Sequence, residues 1–313
     1  MLKINYSKKF DRNKYYESIS KKYFHISKNE LLKANIKNYS KSTITLEEIF
    51  NYFKTHKIGE FDAYFENISF KCLTVANFRT LQKIKNKIGQ KDNKFIKFLF
   101  NYTYLQQTKI SPFFENNLEL STCCYCNIDF VNTYNTKSGK KNKFTLDHYY
   151  DKSTYPYLAL SLYNLIPSCY TCNSKLKGTI EFENLAPSSQ KYDFDDKVKF
   201  KLKMSDSCKN LHIKNKNDIE INLRENYSND FKNFIEKMHL DDRYRIHKDI
   251  VYNMIKKAEL YPESRLKELQ DLTGIPFQQI KKDIFNLIDE NEDLSKQPFS
   301  KLIVDMSKEL KII

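Results

Sequence analysis

A carboxylate, an imidazole and an amide lie between and beside two pairs of cysteines in the middle of the chain. Asp147 and His148 are adjacent, and Asn173 directly follows the last cysteine of the second pair. Carboxylate and amide oxygens suit Mg²⁺, which keeps several waters and accepts phosphate oxygens as further ligands. Histidine has a usual pKa in the range that a general base needs. These groups predict phosphodiester hydrolysis, with Mg²⁺ or Mn²⁺ on Asp147 and Asn173 and with His148 as the base.

The two Cys-x-x-Cys pairs predict a structural zinc site. They are Cys123 with Cys126 and Cys169 with Cys172. Each pair presents two thiolates from one tight turn, and two such turns complete a tetrahedron. Because sulfur fills every position, the ion would stabilise the fold and the chemistry must come from other residues. Cys124 is an alternative ligand, but only the spacing from Cys123 matches the usual gap of two residues.

Short strands and one helix are expected to position these side chains. Residues 144–146 are predicted to form a strand that leads into Asp147, and residues 165–167 a second strand. A helix then carries Cys172 and Asn173. One residue turns a helix by about 100°, so Cys172 can face the zinc while Asn173 faces a separate cleft.

The N-terminal part of the chain is expected to be helical. Thr45 and Glu48 have the spacing of a capping box at the start of a helix. Ser111-Pro112 is expected to end this helical region. The polar and basic segment 132–143, with Gly139 as its turn residue, is expected to form a loop.

A strand with one apolar and one basic face is expected beyond Pro187, because residue types alternate strictly there. With the alternating segment 219–223 it predicts an antiparallel β-hairpin. The basic face either contacts nucleic acid or is an ordinary solvated surface. The apolar residues are Val198, Phe200, Leu202 and Met204, and the basic residues are Lys197, Lys199, Lys201 and Lys203.

Helices are expected from Ser228 onward. Pro262 opens one helix and Gly274 ends it, and Pro276 introduces the next. This pair either resembles a helix-turn-helix or is an ordinary αα-hairpin. The residues expected to face the core are Phe231, Phe234, Ile235, Met238, Ile246, Ile250, Met254, Ala258, Leu266, Leu269, Leu272, Ile280, Ile284 and Leu287.

The chain is strongly basic, with 53 Lys and Arg against 39 Asp and Glu and a formal charge of +14. Such a surplus favours a polyanionic partner, because basic side chains release counterions from phosphates. A compositional bias towards Lys, Asn and Ile is the alternative explanation. No apolar run is long enough to span a bilayer, and the first residues lack the apolar segment of a secretory signal. We therefore expect a cytoplasmic protein.

The ordered motifs Cys-x-x-Cys, Asp-His, Asn-Leu and Cys-x-x-Cys-Asn-x-x-x-Lys-Gly resemble an HNH endonuclease of the ββα-metal fold with a four-cysteine zinc site. The resemblance covers roughly residues 120–180. It implies that Asp147 and Asn173 hold the catalytic metal, that His148 activates water, and that Asn164 braces the loop that orients this base.

Three lysines are predicted to contact nucleic acid. The resemblance places Lys175 and Lys177 where members of the family often contact the phosphate backbone, and Lys143 ends the basic segment before the first strand. The chain departs from the family pattern at Asn173, where the family often has His, which favours Mg²⁺ over softer metals. It also has Asp151 where a Pro is common, which makes the entry to the following loop less certain.

The phrase Tyr155-Pro156-Tyr157-Leu158-Ala159, followed by Tyr163-Asn164-Leu165, is similar to HNH proteins found beside ATPases in bacterial anti-phage systems, including the Septu type. This similarity implies a DNA-cleaving effector that works with an ATPase partner. An RNA- or tRNA-cleaving HNH toxin and a non-catalytic, zinc-stabilised nucleic-acid-binding module are the alternatives.

The expected fold class is α+β. We predict an N-terminal helical region over residues 1–118, a central HNH module pinned by zinc over residues 119–186, and a C-terminal β-hairpin with helices over residues 187–313. The central module is expected to contain the ββα-metal motif.

Overall fold

The computed structural model describes residues 1–6, 10–20, 44–136, 139–142, 144–182, 186–206, 213–289 and 292–313. Within these residues the fold is α+β and mostly helical, with strands that pair only two by two. The α+β class is thus confirmed, while the division into three domains stays a prediction. One apolar core contains residues of all three regions.

The helices of the described residues are α1 (Arg12–Ser20), α2 (Leu46–Thr55), α3 (Phe61–Tyr64), α4 (Phe70–Val75), α5 (Phe78–Ile88), α6 (Lys94–Leu99), α7 (Tyr102–Leu105), α8 (Ser111–Asn117), α9 (Phe194–Lys197), α10 (Lys232–Lys237), α11 (Leu240–Arg245), α12 (Lys248–Leu260), α13 (Glu263–Thr273), α14 (Phe277–Phe285) and α15 (Ser300–Glu309). The strands are β1 (Thr133–Thr136), β2 (Gly139–Asn142), β3 (Thr145–His148), β4 (Leu165–Ser168), β5 (Val198–Met204) and β6 (Ile219–Glu225). A wide helical turn, Thr171–Lys177, follows β4 and is called the site helix below.

The capping box at the start of α2 is confirmed. The Thr45 hydroxyl accepts a hydrogen bond from the Glu48 amide at 3.1 Å, and the Glu48 carboxylate accepts one from the Thr45 amide at 2.8 Å. These bonds satisfy backbone donors that a helix start leaves free. Ile49, Phe50 and Phe53 are fully buried on the inner face of the helix.

We expect the N-terminal helical region to end at Ser111-Pro112, but the structure shows that it does not. Instead α8 begins there and continues to Asn117. Proline is tolerated in the first turn of a helix because the amide it lacks would have no partner inside the helix.

Residues 132–143 are not a simple loop either. β1 and β2 pair antiparallel within this segment, with Thr133 opposite Asn142 and Thr136 opposite Gly139. The pairing is made by backbone groups, so it needs no alternation of apolar side chains. Lys143 lies outside the described residues.

The strands β3 and β4 carry the central residues of the candidate site. They pair antiparallel, with Asp147 opposite Ile166 and His148 opposite Leu165. Every residue of β4 is buried, so both strands are fixed against the core. The site helix follows, and Gly178 ends it with a positive φ of 49°. Two antiparallel strands and a short helix therefore surround the predicted site, in the expected order.

The hairpin β5–β6 is confirmed, with Val198 opposite Glu225 and Met204 opposite Ile219. Its basic face lies against acidic side chains of the same chain. Lys197 pairs with Asp230 at 2.7 Å, and Lys201 pairs with Glu309 at 2.6 Å. Much of the positive charge of this row is thus balanced internally, which favours the ordinary surface over a nucleic-acid contact.

The C-terminal helices begin and end near the predicted residues, but the burial of some of their side chains was predicted wrongly. Gly274 ends α13 in the left-handed conformation, and Pro276 precedes α14. Ile246 and Leu272 are 75% and 76% exposed, so both were wrongly expected in the core. Ile246 lies between α11 and α12, where the chain turns, and Leu266 is the one described residue of α13 that is buried.

A buried amide joins the turn of the first cysteine pair to the C-terminal segment. The side-chain nitrogen of Asn127 donates to the Thr122 hydroxyl at 3.1 Å and to the Leu294 carbonyl at 3.3 Å. Its side-chain oxygen accepts from the Ser300 hydroxyl at 3.0 Å and from the Lys301 amide at 3.1 Å. One side chain thus connects segments that are far apart in sequence.

We predict that Asn127→Ala lowers the free energy of unfolding by about 3 kcal/mol or more, since each buried polar group left without a partner costs about 1–3 kcal/mol. The matched control is Asn86→Ala, at an exposed position of α5, which should stay within about 0.5 kcal/mol of the parent. Urea denaturation at a fixed zinc concentration measures both. Equal midpoints for the two variants would contradict the role of Asn127.

Candidate active site and metal centre

The four predicted cysteines form a compact buried cluster. The sulfur atoms of Cys123, Cys126, Cys169 and Cys172 all lie within 4.8 Å of one another. Zinc–sulfur bonds of about 2.3 Å in a tetrahedron place sulfur atoms about 3.8 Å apart. The cluster therefore has the composition and the spacing of a zinc site, whereas Cys124 is buried outside it.

Each cysteine pair lies on a tight turn in which a backbone amide donates a hydrogen bond to a cysteine sulfur. The Ile128 amide donates to the Cys126 sulfur at 3.4 Å, and the Cys172 amide donates to the Cys169 sulfur at 3.5 Å. Such bonds favour ionised thiolates, which are the form that binds metal.

Arg243 of α11 lies beside the cluster and adds positive charge. Its guanidinium donates to the Cys172 sulfur at 3.2 Å. Hydrogen bonds with Cys123, Cys169 and Cys172 lower the pKa of Cys126 well below its ordinary value, and Arg243 acts in the same direction. A four-thiolate zinc site carries a net negative charge, which this arginine offsets.

Asp147 is a buried carboxylate with two partners. Its Oδ2 accepts a hydrogen bond from the Tyr125 hydroxyl at 2.6 Å and lies 3.1 Å from the Lys177 ammonium. Burial raises the pKa of Asp147, while Lys177 and Tyr125 oppose this shift. The carboxylate is thus paired inside the protein before any metal binds.

Lys177 is predicted to contact the phosphate backbone, but the structure places it in the interior. Its side chain is 0% exposed, and its ammonium also donates to the His148 carbonyl at 3.1 Å. The Gly178 amide bonds the carbonyl of Asn173, five residues earlier, so the helix makes a wide turn at this point. Lys177 therefore holds the site helix against β3 and does not present its charge to solvent.

The imidazole of His148 is oriented by a backbone carbonyl. Its Nε2 lies 3.0 Å from the Ala159 oxygen. A carbonyl can only accept, so the proton lies on Nε2 and leaves Nδ1 as an acceptor. Burial, helped by the nearby Lys152 ammonium, lowers the pKa of His148 to about 3. The ring is therefore neutral near pH 7 and has one nitrogen able to take a proton.

Asn164 fixes the segment that supplies this carbonyl. Its side-chain oxygen accepts from the Tyr150 amide at 2.8 Å, and its nitrogen donates to the carbonyls of Tyr150 and Leu158 at 3.0 and 3.1 Å. Leu158 directly precedes Ala159, which holds His148. The amide thus fixes the loop whose Ala159 carbonyl bonds His148.

Asn173 and Lys175 are the other two predicted site residues on the site helix. Asn173 is half-buried and Lys175 is exposed. The Lys175 ammonium lies 5.7 Å from the centre of the exposed Tyr170 ring. A cation beside an accessible aromatic ring suits contact with a nucleic-acid backbone and an unstacked base.

The residue types at Asp147 and Asn173 suit Mg²⁺ in part. Both contacts of Asp147 use Oδ2, so Oδ1 is the atom through which this carboxylate could bind an ion. Lys177 already supplies a positive charge at the same group. In the described parts of the chain, the four cysteines are the one cluster of His, Cys, Asp or Glu that could hold a metal. The Mg²⁺ or Mn²⁺ site therefore stays a prediction.

Sequence reasoning missed two tyrosines at this site. Tyr125 lies between two zinc-ligand candidates and bonds Asp147. Tyr102 comes from α7 and contacts the His148 ring. The position of Tyr125 inside the first Cys-x-x-Cys pair was a usable signal, because a short turn brings its side chain near the module. The sequence around Tyr102 contains no comparable signal.

No protein-family model matches the chain, and no curated protein or solved structure matches it. Of the helices in the described ranges, none has the length and apolar character needed to cross a membrane.

We predict that the purified protein contains zinc, that Cys172→Ala loses it, and that Cys124→Ala keeps it. Both cysteines are buried, but only Cys172 belongs to the cluster. Metal content after dialysis, measured by inductively coupled plasma mass spectrometry, tests this. Loss of zinc from the Cys124 variant, or its retention by the Cys172 variant, would contradict the ligand set.

Lys177→Met should lower the free energy of unfolding by about 3–5 kcal/mol, because removing one partner leaves a buried charge uncompensated. Lys175→Met, two residues away on the exposed side of the same helix, should change it by less than about 0.5 kcal/mol. Guanidinium denaturation with zinc bound provides both values. If the two variants are equally stable, the Lys177–Asp147 pair does not hold the helix in place.

Proposed function

We propose that the protein is a metal-dependent HNH endonuclease that hydrolyses phosphodiester bonds in DNA. The observation that supports this most is the state of His148. The ring is neutral, its Nε2 is held by the Ala159 carbonyl, and its Nδ1 is left as an acceptor. A general base needs an oriented ring with an acceptor nitrogen, and the bond to Ala159 leaves His148 in that state.

In the proposed reaction, Nδ1 of His148 takes a proton from a water molecule while the water oxygen attacks phosphorus. A new phosphorus–oxygen bond forms, and the bond to the 3′ oxygen breaks with its electron pair. The leaving oxygen is then protonated, so that the products carry 5′ phosphate and 3′ hydroxyl ends. Asn164 contributes indirectly, because it fixes the loop that orients the base.

Asp147 and Asn173 would hold Mg²⁺ or Mn²⁺ in this proposal. Such an ion supplies positive charge that stabilises the transition state and the leaving oxygen. Asp147 would bind through Oδ1, since Oδ2 is engaged by Tyr125 and Lys177. The zinc on the four cysteines would be structural, because all four of its positions are filled by sulfur.

DNA binding is supported by the net positive charge of the chain and by the exposed Lys175 on the site helix. The formal charge of +14 favours a polyanion. Lys175 and the exposed Tyr170 lie together beside the candidate site, whereas Lys177 is buried. Lys143 remains a predicted contact.

An ATPase partner, a role in anti-phage defence and a cytoplasmic location complete the proposal. The first two rest on the similarity of residues 155–165 to HNH proteins found beside ATPases, and the third on composition. Co-purification from the native host would test directly whether an ATPase binds this protein.

A non-catalytic, zinc-stabilised nucleic-acid-binding module is the second candidate. One observation favours it: the Lys177 ammonium already balances the charge of Asp147. Such a module would bind nucleic acid without Mg²⁺ and would create no new ends. An RNA-cleaving activity would use the same groups, since they do not read the 2′ hydroxyl.

We predict that the protein with Mg²⁺ cuts plasmid DNA, that EDTA stops the cleavage, and that His148→Ala lowers the rate by about 10²–10⁴, the usual contribution of a general base. The control is His56→Ala, an exposed histidine whose ring also bonds a backbone carbonyl. Gel analysis of plasmid and of total RNA gives the substrate, and zinc content and circular dichroism show that both variants remain folded.

Cleavage by His148→Ala at the parent rate would rule out the assignment of the base. Binding without any new ends, in EDTA and in Mg²⁺ alike, would favour the non-catalytic module. Digestion of RNA in preference to duplex DNA would replace DNA by RNA as the substrate.

A further inference from the structure

Tyr102 brings a polar group to the candidate site from outside the central module. It is the first residue of α7, in the N-terminal helical region, and is only 4% exposed. Its ring meets the His148 ring edge to face, with centroids 4.4 Å apart and an interplanar angle of 82°. The proposed base is thus covered on one side by a tyrosine.

The hydroxyl of Tyr102 is buried without a partner. Among the described residues this is also true of the Tyr6 and Ser295 hydroxyls, but only Tyr102 contacts His148. A buried polar group that makes no hydrogen bond is costly and is uncommon in folded proteins. A partner that the protein itself does not provide is therefore expected at this hydroxyl.

The charges near Tyr102 indicate the nature of this partner. The Lys152 ammonium lies 5.1 Å from the centre of the ring, and the Lys152 side chain is exposed. Burial, and then the Asp147 carboxylate, raise the pKa of Tyr102, so that its hydroxyl stays protonated and can donate. A neutral donor beside an accessible ammonium suits a phosphate oxygen.

We propose that Tyr102 and Lys152 form a phosphate-binding subsite beside His148, in which the tyrosine hydroxyl donates a hydrogen bond to a non-bridging oxygen of the phosphodiester. This inference rests on the proposed nuclease function and adds a substrate contact to it. The contact comes from the N-terminal region, so the subsite exists only when that region is packed against β3. An ordered water at the hydroxyl is the alternative occupant.

The test compares Tyr102→Phe with Tyr6→Phe. Both changes remove a buried hydroxyl that has no partner, and both keep the ring. Neither should lower stability, because no protein hydrogen bond is lost. Only Tyr102→Phe should weaken binding of a fluorescent DNA duplex in buffer without added Mg²⁺, by about 10-fold. It should also lower kcat/KM with Mg²⁺ by about 10- to 100-fold, as expected for a hydrogen bond to a charged group. Lys152→Gln should weaken binding and reduce its salt dependence by about one counterion.

The outcomes separate this inference from the proposed function. If the parent cuts DNA and Tyr102→Phe binds and cuts like Tyr6→Phe, the hydroxyl holds only water and the subsite is overturned while the nuclease stands. If neither the parent nor any variant cuts, the nuclease fails. The binding difference between the two variants without added Mg²⁺ then decides the subsite by itself: a selective loss in Tyr102→Phe supports it, and equal binding overturns it.

Discussion

The approach of four sulfur atoms to within 4.8 Å of one another is the constraint on which the central module depends. Two of the cysteines precede β1 and the other two follow β4, so the cluster closes a long section of chain. Ionised thiolates packed this closely and buried repel one another unless a cation lies between them. A zinc ion bound there would add its binding free energy to folding and would help to fix the direction of the site helix.

The buried pair of Lys177 and Asp147 follows from the direction of that helix. The helix begins at the second cysteine pair, and its wide turn ends at Gly178, which brings Lys177 beneath β3. There the ammonium contacts both the Asp147 carboxylate and the His148 carbonyl. A buried ion pair contributes little net stability compared with an apolar contact, because desolvation offsets the attraction. Its contribution here is positional: helix and strand are locked in one register beside the imidazole.

Several signals that act within a few residues were read correctly, whereas Ser111-Pro112 and the segment 132–143 were misread. The Thr45–Glu48 capping box, the alternation in β5 and the Gly274 stop each act within a few residues, so pattern alone predicts them. Leu272 has helical spacing but is exposed to solvent. At the site, the spacing of the two Cys-x-x-Cys pairs correctly predicted which four cysteines come together. The inward turn of Lys177 depends on tertiary contacts that no short pattern encodes, as does the arrival of Tyr102.

Side chains from both flanking regions contact the central groups. Tyr102 covers His148 from the N-terminal side, and Arg243 donates to the Cys172 sulfur from the C-terminal side. Asn127 adds a third connection, between the first cysteine turn and the segment that leads into α15. Because interiors are close-packed, a shift of α7 or α11 cannot leave these contacts unchanged.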